Sequence, residues 1–287
     1  MDVEALPTAA DDLGEGPLWE PETGALWWVD ITGRSVRCRD LAGGLERRWA
    51  TPSNVGCLAL TQRDDLLIAL ADGVHRLDPA SGAITRQSAD PEPDLPTVFN
   101  DGWVDPGGRL WCGTADEIEQ RPRGSLYRFD PDGTWTRQVA DVVESNGIDW
   151  SPDGRTMYFT DSGSRTITAY DFDPASSAIE RPRLFARDED CDPDGLTVDA
   201  EGGVWSVKWD GWRLVRYDPE GGVDRVVEVP VQRPTAVAFG GPDLRTAYLT
   251  TARFELDDAA LAAQPLAGRV LVLDLGVAGR PPTRFAG

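Results

Sequence analysis

The chain contains three asparagines, Asn54, Asn100 and Asn146, and two of them head similar phrases, "NDGWVDPGG" and "NGIDWSPDG". Asp194 heads a third phrase, "DGLTVDAEGG", and Glu15 a fourth, "EGPLWEPETG". Aligned on the turn that closes each phrase, Ser151, Asp105, Asp199 and Glu20 share one column, and Asn146, Asn100, Asp194 and Glu15 stand five residues upstream. Taken singly, Asn or Asp before Gly is an ordinary turn residue. Four such residues in one register are a different matter, because converging carboxylates repel unless positive charge sits between them. Two carboxylates and two amide carbonyls form an all-oxygen set. Such a set suits one hard divalent cation, with calcium, magnesium or manganese ahead of zinc or iron(II), since no His or Cys belongs to the column.

The elements that must bring these residues together are written as a repeat. Besides the four phrases there are two weaker copies, "VGCLALTQRDDLLIAL" from Val55 and "TAVAFGGPDLRTAYLT" from Thr235. Each copy has a short apolar strand, an acidic or Pro/Gly turn and a second strand rich in Trp, Tyr, Val or Leu. A third strand usually follows, ending in turns such as "HRLDPASG" and "VRYDPEG". The six starts lie 40 to 48 residues apart, the period of a four-stranded propeller blade. The pattern predicts an all-β, six-bladed β-propeller of four antiparallel strands per blade, a single domain over 1–287. The first strand of each blade would line the central channel. Either "DVEAL" near the N-terminus or the C-terminal "PTRFAG" could supply the strand that completes the last blade and closes the ring.

Composition removes several function classes. The formal net charge is -21, from 49 acidic and 28 basic residues, which repels a phosphate backbone and argues against nucleic-acid binding. No apolar run approaches the length of a membrane span and no leader pattern is present, so a cytoplasmic protein is expected, monomeric or weakly self-associating. Cys38, Cys57, Cys112 and Cys191 lack CxxC spacing and read as buried thiols rather than a disulfide framework. The single histidine, His75, falls on an expected third strand away from the axis, and no G-x-S-x-G elbow occurs, which disfavours a Ser-His-Asp hydrolase.

The phrases "GEGPLWEPETGALWWVD", "FNDGWVDPGGRLWCGT", "SNGIDWSPDGRTMYFTDS", "DPDGLTVDAEGGVW" and "PTAVAFGGPDLRTAYLTTAR" closely resemble the senescence marker protein, gluconolactonase and regucalcin family. The resemblance covers essentially the whole chain. It implies a six-bladed propeller with a divalent cation in the channel and hydrolysis of sugar lactones. Residue by residue, it implies metal ligands at Glu15, Asn146 and Asp194, a substrate-contacting Asn100, and Asp194 as the proposed base. The loop after "CGT", with Asp116 and Glu117, falls where the family adds sugar contacts, so Glu117 joins the candidate substrate set. Trp103 joins it too, although a strand residue there also suits packing. Where lactonases of this family usually carry Arg, two residues before the substrate Asn, this chain has Val98. Val98 offers no donors to ring or hydroxyl oxygens, which favours a different or less hydroxylated lactone than gluconolactone.

The expected chemistry is metal-assisted opening of a cyclic ester, with Asp194 taking a proton from the attacking water and Asn100 holding the substrate. Two alternatives stand beside it. One is organophosphate or phosphotriester hydrolysis in the same site. The other is a calcium-binding regulatory propeller without turnover, since fold does not fix function.

Overall fold

The structure is a computed structural model and describes residues 3–116 and 121–287. Six four-stranded antiparallel sheets follow one another along the chain. Their first strands are Gly14–Glu20, Val55–Leu60, Thr97–Val104, Ser145–Trp150, Asp192–Val198 and Pro234–Gly240, which we number blades 1 to 6. Each of these strands packs against its counterparts in the blades before and after it, and blade 6 meets blade 1. The result is the closed six-bladed propeller that the repeat predicts.

Burial falls from the axis outward. The inner strand Val55–Leu60 and its neighbour Leu66–Leu70 are buried throughout, whereas the outermost strand of the same blade, Ile84–Ala89 with the sequence ITRQSA, is mostly exposed. Apolar side chains on facing blades fill the seams. Trp111 of blade 3 meets Trp150 of blade 4 edge-on at 5.8 Å, and both contact Phe172. An aromatic pair of this kind adds about 0.5–1.5 kcal/mol beyond its buried area.

The turn column does structural work. Asp105 is buried and accepts hydrogen bonds from the Trp111 indole at 3.0 Å and from the N–H groups of Gly107 and Arg109. Asp199 repeats this with Trp205, Glu201 and Gly203. Ser151 does it more weakly through Oγ, accepting from Thr156 N at 2.9 Å, while Gly154 supplies the left-handed φ of 66° that closes "SPDG". These side chains tie the second strand back to the turn, so a similar phrase recurs at the start of several blades.

Ring closure goes to the N-terminal side. Blade 6 is completed by Glu4–Ala5, paired antiparallel with Leu271 and Val272. The C-terminal "PTRFAG" serves differently and runs as a strap beneath the ends of the inner strands. Arg280 donates to Asp149 Oδ1 and to the Trp150 carbonyl, Arg284 to the Thr61 carbonyl and to Glu22. Phe285 N bonds the Leu60 carbonyl while its ring stacks on Phe129, and Ala286 N bonds the Gly108 carbonyl. The short helix Asp258–Ala263, capped by Asp257, lies between the second and third strands of blade 6, at the opposite end from the strap.

His75 lies on the third strand of blade 2, buried, with Nδ1 3.1 Å from the Gly73 carbonyl. The four cysteines are buried free thiols. Among the described residues no helix is long and apolar enough to cross a membrane.

Candidate active site

Every inner strand carries a ladder irregularity near its start, between Glu15 and Leu18, Val55 and Leu58, Phe99 and Gly102, Ser145 and Ile148, Pro193 and Leu196, and Pro234 and Val237. A bulge releases its residues from pairing and re-aims a side chain. In blades 3, 4 and 5 the first released residues are Asn100, Asn146 and Asp194. Aligned by ladder, the equivalent residues are Gly16 in blade 1, Gly56 in blade 2 and Thr235 in blade 6. Glu15 and Val55, which the turn alignment places in the column, therefore stand one residue before it in the ladder. Glu15 reaches the same cavity nonetheless, and Gly16, the first released residue of blade 1, has a left-handed φ of 53° that glycine adopts at no steric cost.

The glycines after Asn146 and Asp194 are not turn residues. A Cβ on Gly147 would stand 2.3 Å from Leu196 N, and one on Gly195 would stand 2.5 Å from the Ala236 Cβ. Each glycine lets the next blade's inner strand approach closely enough to close the ring. Gly195→Ala is expected to destabilise the fold by about 1–3 kcal/mol, the usual range for overpacking a tight interior. A thermal melt would read this as a drop of several degrees, and an unchanged melting temperature would show that the seam has slack.

Glu15, Asn100, Asn146 and Asp194 line one cavity of about 140 Å³ at the channel mouth, together with Leu13, Ile31, Glu144, Ser162, Asp192, Trp209, Phe254 and Glu255. Glu15, Asn146 and Asp194 are buried, at 7, 4 and 5% exposure. Hydrogen bonds fix the two amides. Asn146 Nδ2 donates to Ser162 Oγ at 2.8 Å, and that hydroxyl donates to the Pro193 carbonyl at 2.5 Å. Asn100 Nδ2 donates to the Ser145 carbonyl at 2.9 Å and to Asn146 Oδ1 at 3.2 Å. With its N–H groups so engaged, Asn100 has Oδ1 left to offer as an acceptor. Thr235 spends its hydroxyl on the Gly14 carbonyl at 2.6 Å, holding the seam between blades 6 and 1.

The electrostatics are those of neighbouring buried acids. Burial pushes the Asp194 carboxyl well above its usual range, and the charges of Glu15, Glu144 and Asp101 push it further, against one backbone bond from Gly195. Burial does the same to Glu15; Asp101 and Glu144 add to it, while the Gly16 N–H and Thr235 oppose. Asp101, beside Asn100, is pushed up to about 6 by burial. Oxygen donors that are buried and mutually repulsive fit a hard cation, which would relieve the repulsion directly. Among the described residues no cluster of three or more His, Cys, Asp or Glu side chains is placed to hold a metal, so such a site needs the amide oxygens as well.

Other candidates fall elsewhere. Trp103 is not among the lining residues; it packs against core clusters of blades 1 to 4 and borders a small cavity with Asp149 and Arg280 near the strap. Its place corresponds to packing rather than substrate contact. Val98 pairs with Ala115 and does not line the cavity either. Glu117 lies outside the described residues. Sequence reasoning misses Ser162, which orients Asn146, and the wall residues Glu144, Asp192 and Glu255. A signal for Glu144 was at hand, since it immediately precedes "SNG" on the connection that enters the mouth.

Residues 13–253 match the model of the SMP-30/Gluconolactonase/LRE-like region. The chain is 42% identical to the L-arabinolactonase of Azospirillum brasilense over 98% of its own length and 95% of the relative's, and 37% identical to regucalcin of Gallus gallus over 99% and 98%. Among solved structures, the calcium-binding protein regucalcin from Agrobacterium tumefaciens superimposes with a TM-score of 0.93 at 33% identity, covering 98% of this chain and 96% of the other. With its six blades, mouth cavity and matched motifs, the chain belongs to the SMP-30/gluconolactonase/LRE-like family.

Proposed function

We propose that this protein is a divalent-metal-dependent lactonase acting on a sugar lactone. The observation that carries the proposal is the convergence of Glu15, Asn146 and Asp194 on one buried cavity, where the two carboxylates repel each other and an amide oxygen is held in place beside them. Those three residues would hold the cation, with Asn100 beside them. When bound, the cation supplies Lewis-acid polarisation of the lactone carbonyl and a site for the developing oxyanion, worth several kcal/mol.

The chain's own groups divide the remaining work. Asp194 holds one oxygen toward the attacking water and takes its proton, which is then delivered to the departing ring oxygen. Asn100 Oδ1 accepts from a substrate hydroxyl, because its Nδ2 is already committed. Leu13, Ile31, Trp209 and Phe254 give the cavity an apolar wall that limits water. The relative named as an L-arabinolactonase and the calcium-binding neighbour support a sugar lactone and a divalent cation.

The test is a pH-drop assay over sugar and aliphatic lactones, run with each divalent ion and after chelation. Hydrolysis of at least one sugar lactone, lost on chelation and restored by a single ion, is the expected result. Tight calcium binding without turnover of any lactone would replace the proposal with a regulatory calcium-binding role.

A further inference from the structure

We infer that Ser162 is a positioning residue that turns the Asn146 amide so that its oxygen, and not its NH2, faces the cavity, and that this direction sets the affinity for the cation. The inference rests on the metal site proposed above and adds to it a residue outside the ligand set. An asparagine amide is nearly symmetric in shape, yet one end accepts and the other donates. Turned the wrong way, it would offer N–H groups to a cation. A relay of hydrogen bonds across three blades decides the direction. Asn100 Nδ2 donates to Asn146 Oδ1 at 3.2 Å, Asn146 Nδ2 to Ser162 Oγ at 2.8 Å, and Ser162 Oγ to the Pro193 carbonyl at 2.5 Å.

Both ends of the relay are backbone carbonyls, which only accept. The single hydroxyl proton of Ser162 goes to Pro193, so toward Asn146 the same oxygen accepts and draws the NH2 end. At the other end the Ser145 carbonyl claims an N–H of Asn100, which sets that NH2 opposite Asn146. The two ends demand one direction, and Asn146 Oδ1 keeps a second lone pair for the cation. Ser162 has the firmer hold, being buried and at the shorter distance. Because Pro193 immediately precedes Asp194, the relay also ties the amide ligand to the strand that carries a carboxylate ligand. The backbone of Ser162 is fixed without its hydroxyl: its N–H donates to the Glu144 carbonyl at 3.0 Å, just past the strand Thr156–Asp161. Removing the hydroxyl therefore leaves the fold in place and frees the amide to turn its NH2 toward the cavity's carboxylates.

Calorimetric titration of the wild type with calcium, magnesium and manganese finds the tightest ion, which is then used for a double-mutant cycle. Ser162→Ala should weaken binding about 10–100-fold, the usual cost of removing an outer partner of a metal ligand. In Asn146→Asp, whose two oxygens have no wrong direction, adding Ser162→Ala should cost no more than about threefold. Equal losses in the two backgrounds would give Ser162 a merely structural role and overturn the inference. An unchanged affinity in folded Ser162→Ala would overturn it as well. If Ser162→Ala does not fold, the ion-bound wild type decides alone. With only asparagine isotope-labelled, three side-chain amides appear by NMR. The Asn146 NH2 should exchange with solvent at least about tenfold more slowly than that of exposed Asn54. Exchange as fast as at Asn54 would overturn the inference. A wild type that binds none of the three ions would overturn the metal reading itself, and the inference with it.

Discussion

Asp194→Ala is expected to lose metal binding and lactone hydrolysis together, with kcat/KM falling at least about 10³-fold, or ~4 kcal/mol of transition-state stabilisation. The magnitude follows from the residue's two proposed tasks, since the substitution removes a buried ligand oxygen and the proton acceptor at once. Asn100→Ala is the informative contrast. Its amide tethers Asn146 Oδ1 and the Ser145 carbonyl without being one of the three proposed ligands. It should keep most of the metal yet lose about 10–100-fold in rate or affinity, the usual effect of removing a hydrogen bond around a metal site. Calorimetric titration with calcium beside the lactone assay separates the two variants. Full metal occupancy in Asp194→Ala would remove it from the ligand set, whatever happened to activity.

The second large effect concerns metal removal and pH. Asp101 is raised from 3.8 to about 6, and Glu15 and Asp194 are raised well above their usual range by burial and by neighbouring carboxylates. A carboxyl whose folded pKa lies above its unfolded value stabilises the fold fully below the unfolded pKa, and that contribution is lost as pH rises through the folded pKa. The metal-free protein should therefore be most stable on the acid side and weaken toward neutrality. Cation binding requires the ionised carboxylates and so strengthens in the same direction. At a metal concentration of about a hundred times Kd, binding adds about 2.7 kcal/mol. The melting temperatures with calcium and with chelator should thus converge near pH 5 and separate by several degrees near pH 7.5. A gap independent of pH would mean that these carboxylates do not bind the ion.

The architecture was legible because the blade-opening phrase encodes chemistry that several blades share. Asp105 and Asp199 bind the indole of the following strand in the same way, so the fold stamps the same letters into the sequence each time. The closing strand left no such mark. Glu4–Ala5 is two residues long and pairs across nearly the whole chain, too short to show a strand period. At the site, Asn100, Asn146 and Asp194 were legible for the same reason as the blades, since the bulge repeats. Glu15 lay one residue off register because blade 1 fills the equivalent bulge position with Gly16. The wall was hidden for the opposite reason. Glu144, Asp192 and Glu255 come from connections or strand starts that differ from blade to blade, where no repeat position marks them. Trp103 misled because strand alternation beyond the bulge turns it toward the seams, whereas the released Asn100 faces the axis.

The two ends of the ring also govern how the chain can reach this shape. The last blade waits for Glu4–Ala5 to find Leu271 and Val272, and the strap from Arg280 onward clasps blades laid down long before it. Neither closure can begin until residues near both ends of the sequence are present, so the contacts that finish the fold are those of greatest sequence separation. Such topologies fold slowly, and their unpaired strand edges stay open to other chains in the meantime. During synthesis the blades can form in order as they emerge, but blade 6 stays incomplete until its residues meet the first-made Glu4–Ala5. The protein's most exposed moment therefore comes late, when five blades stand in an arc whose two open edges have yet to meet.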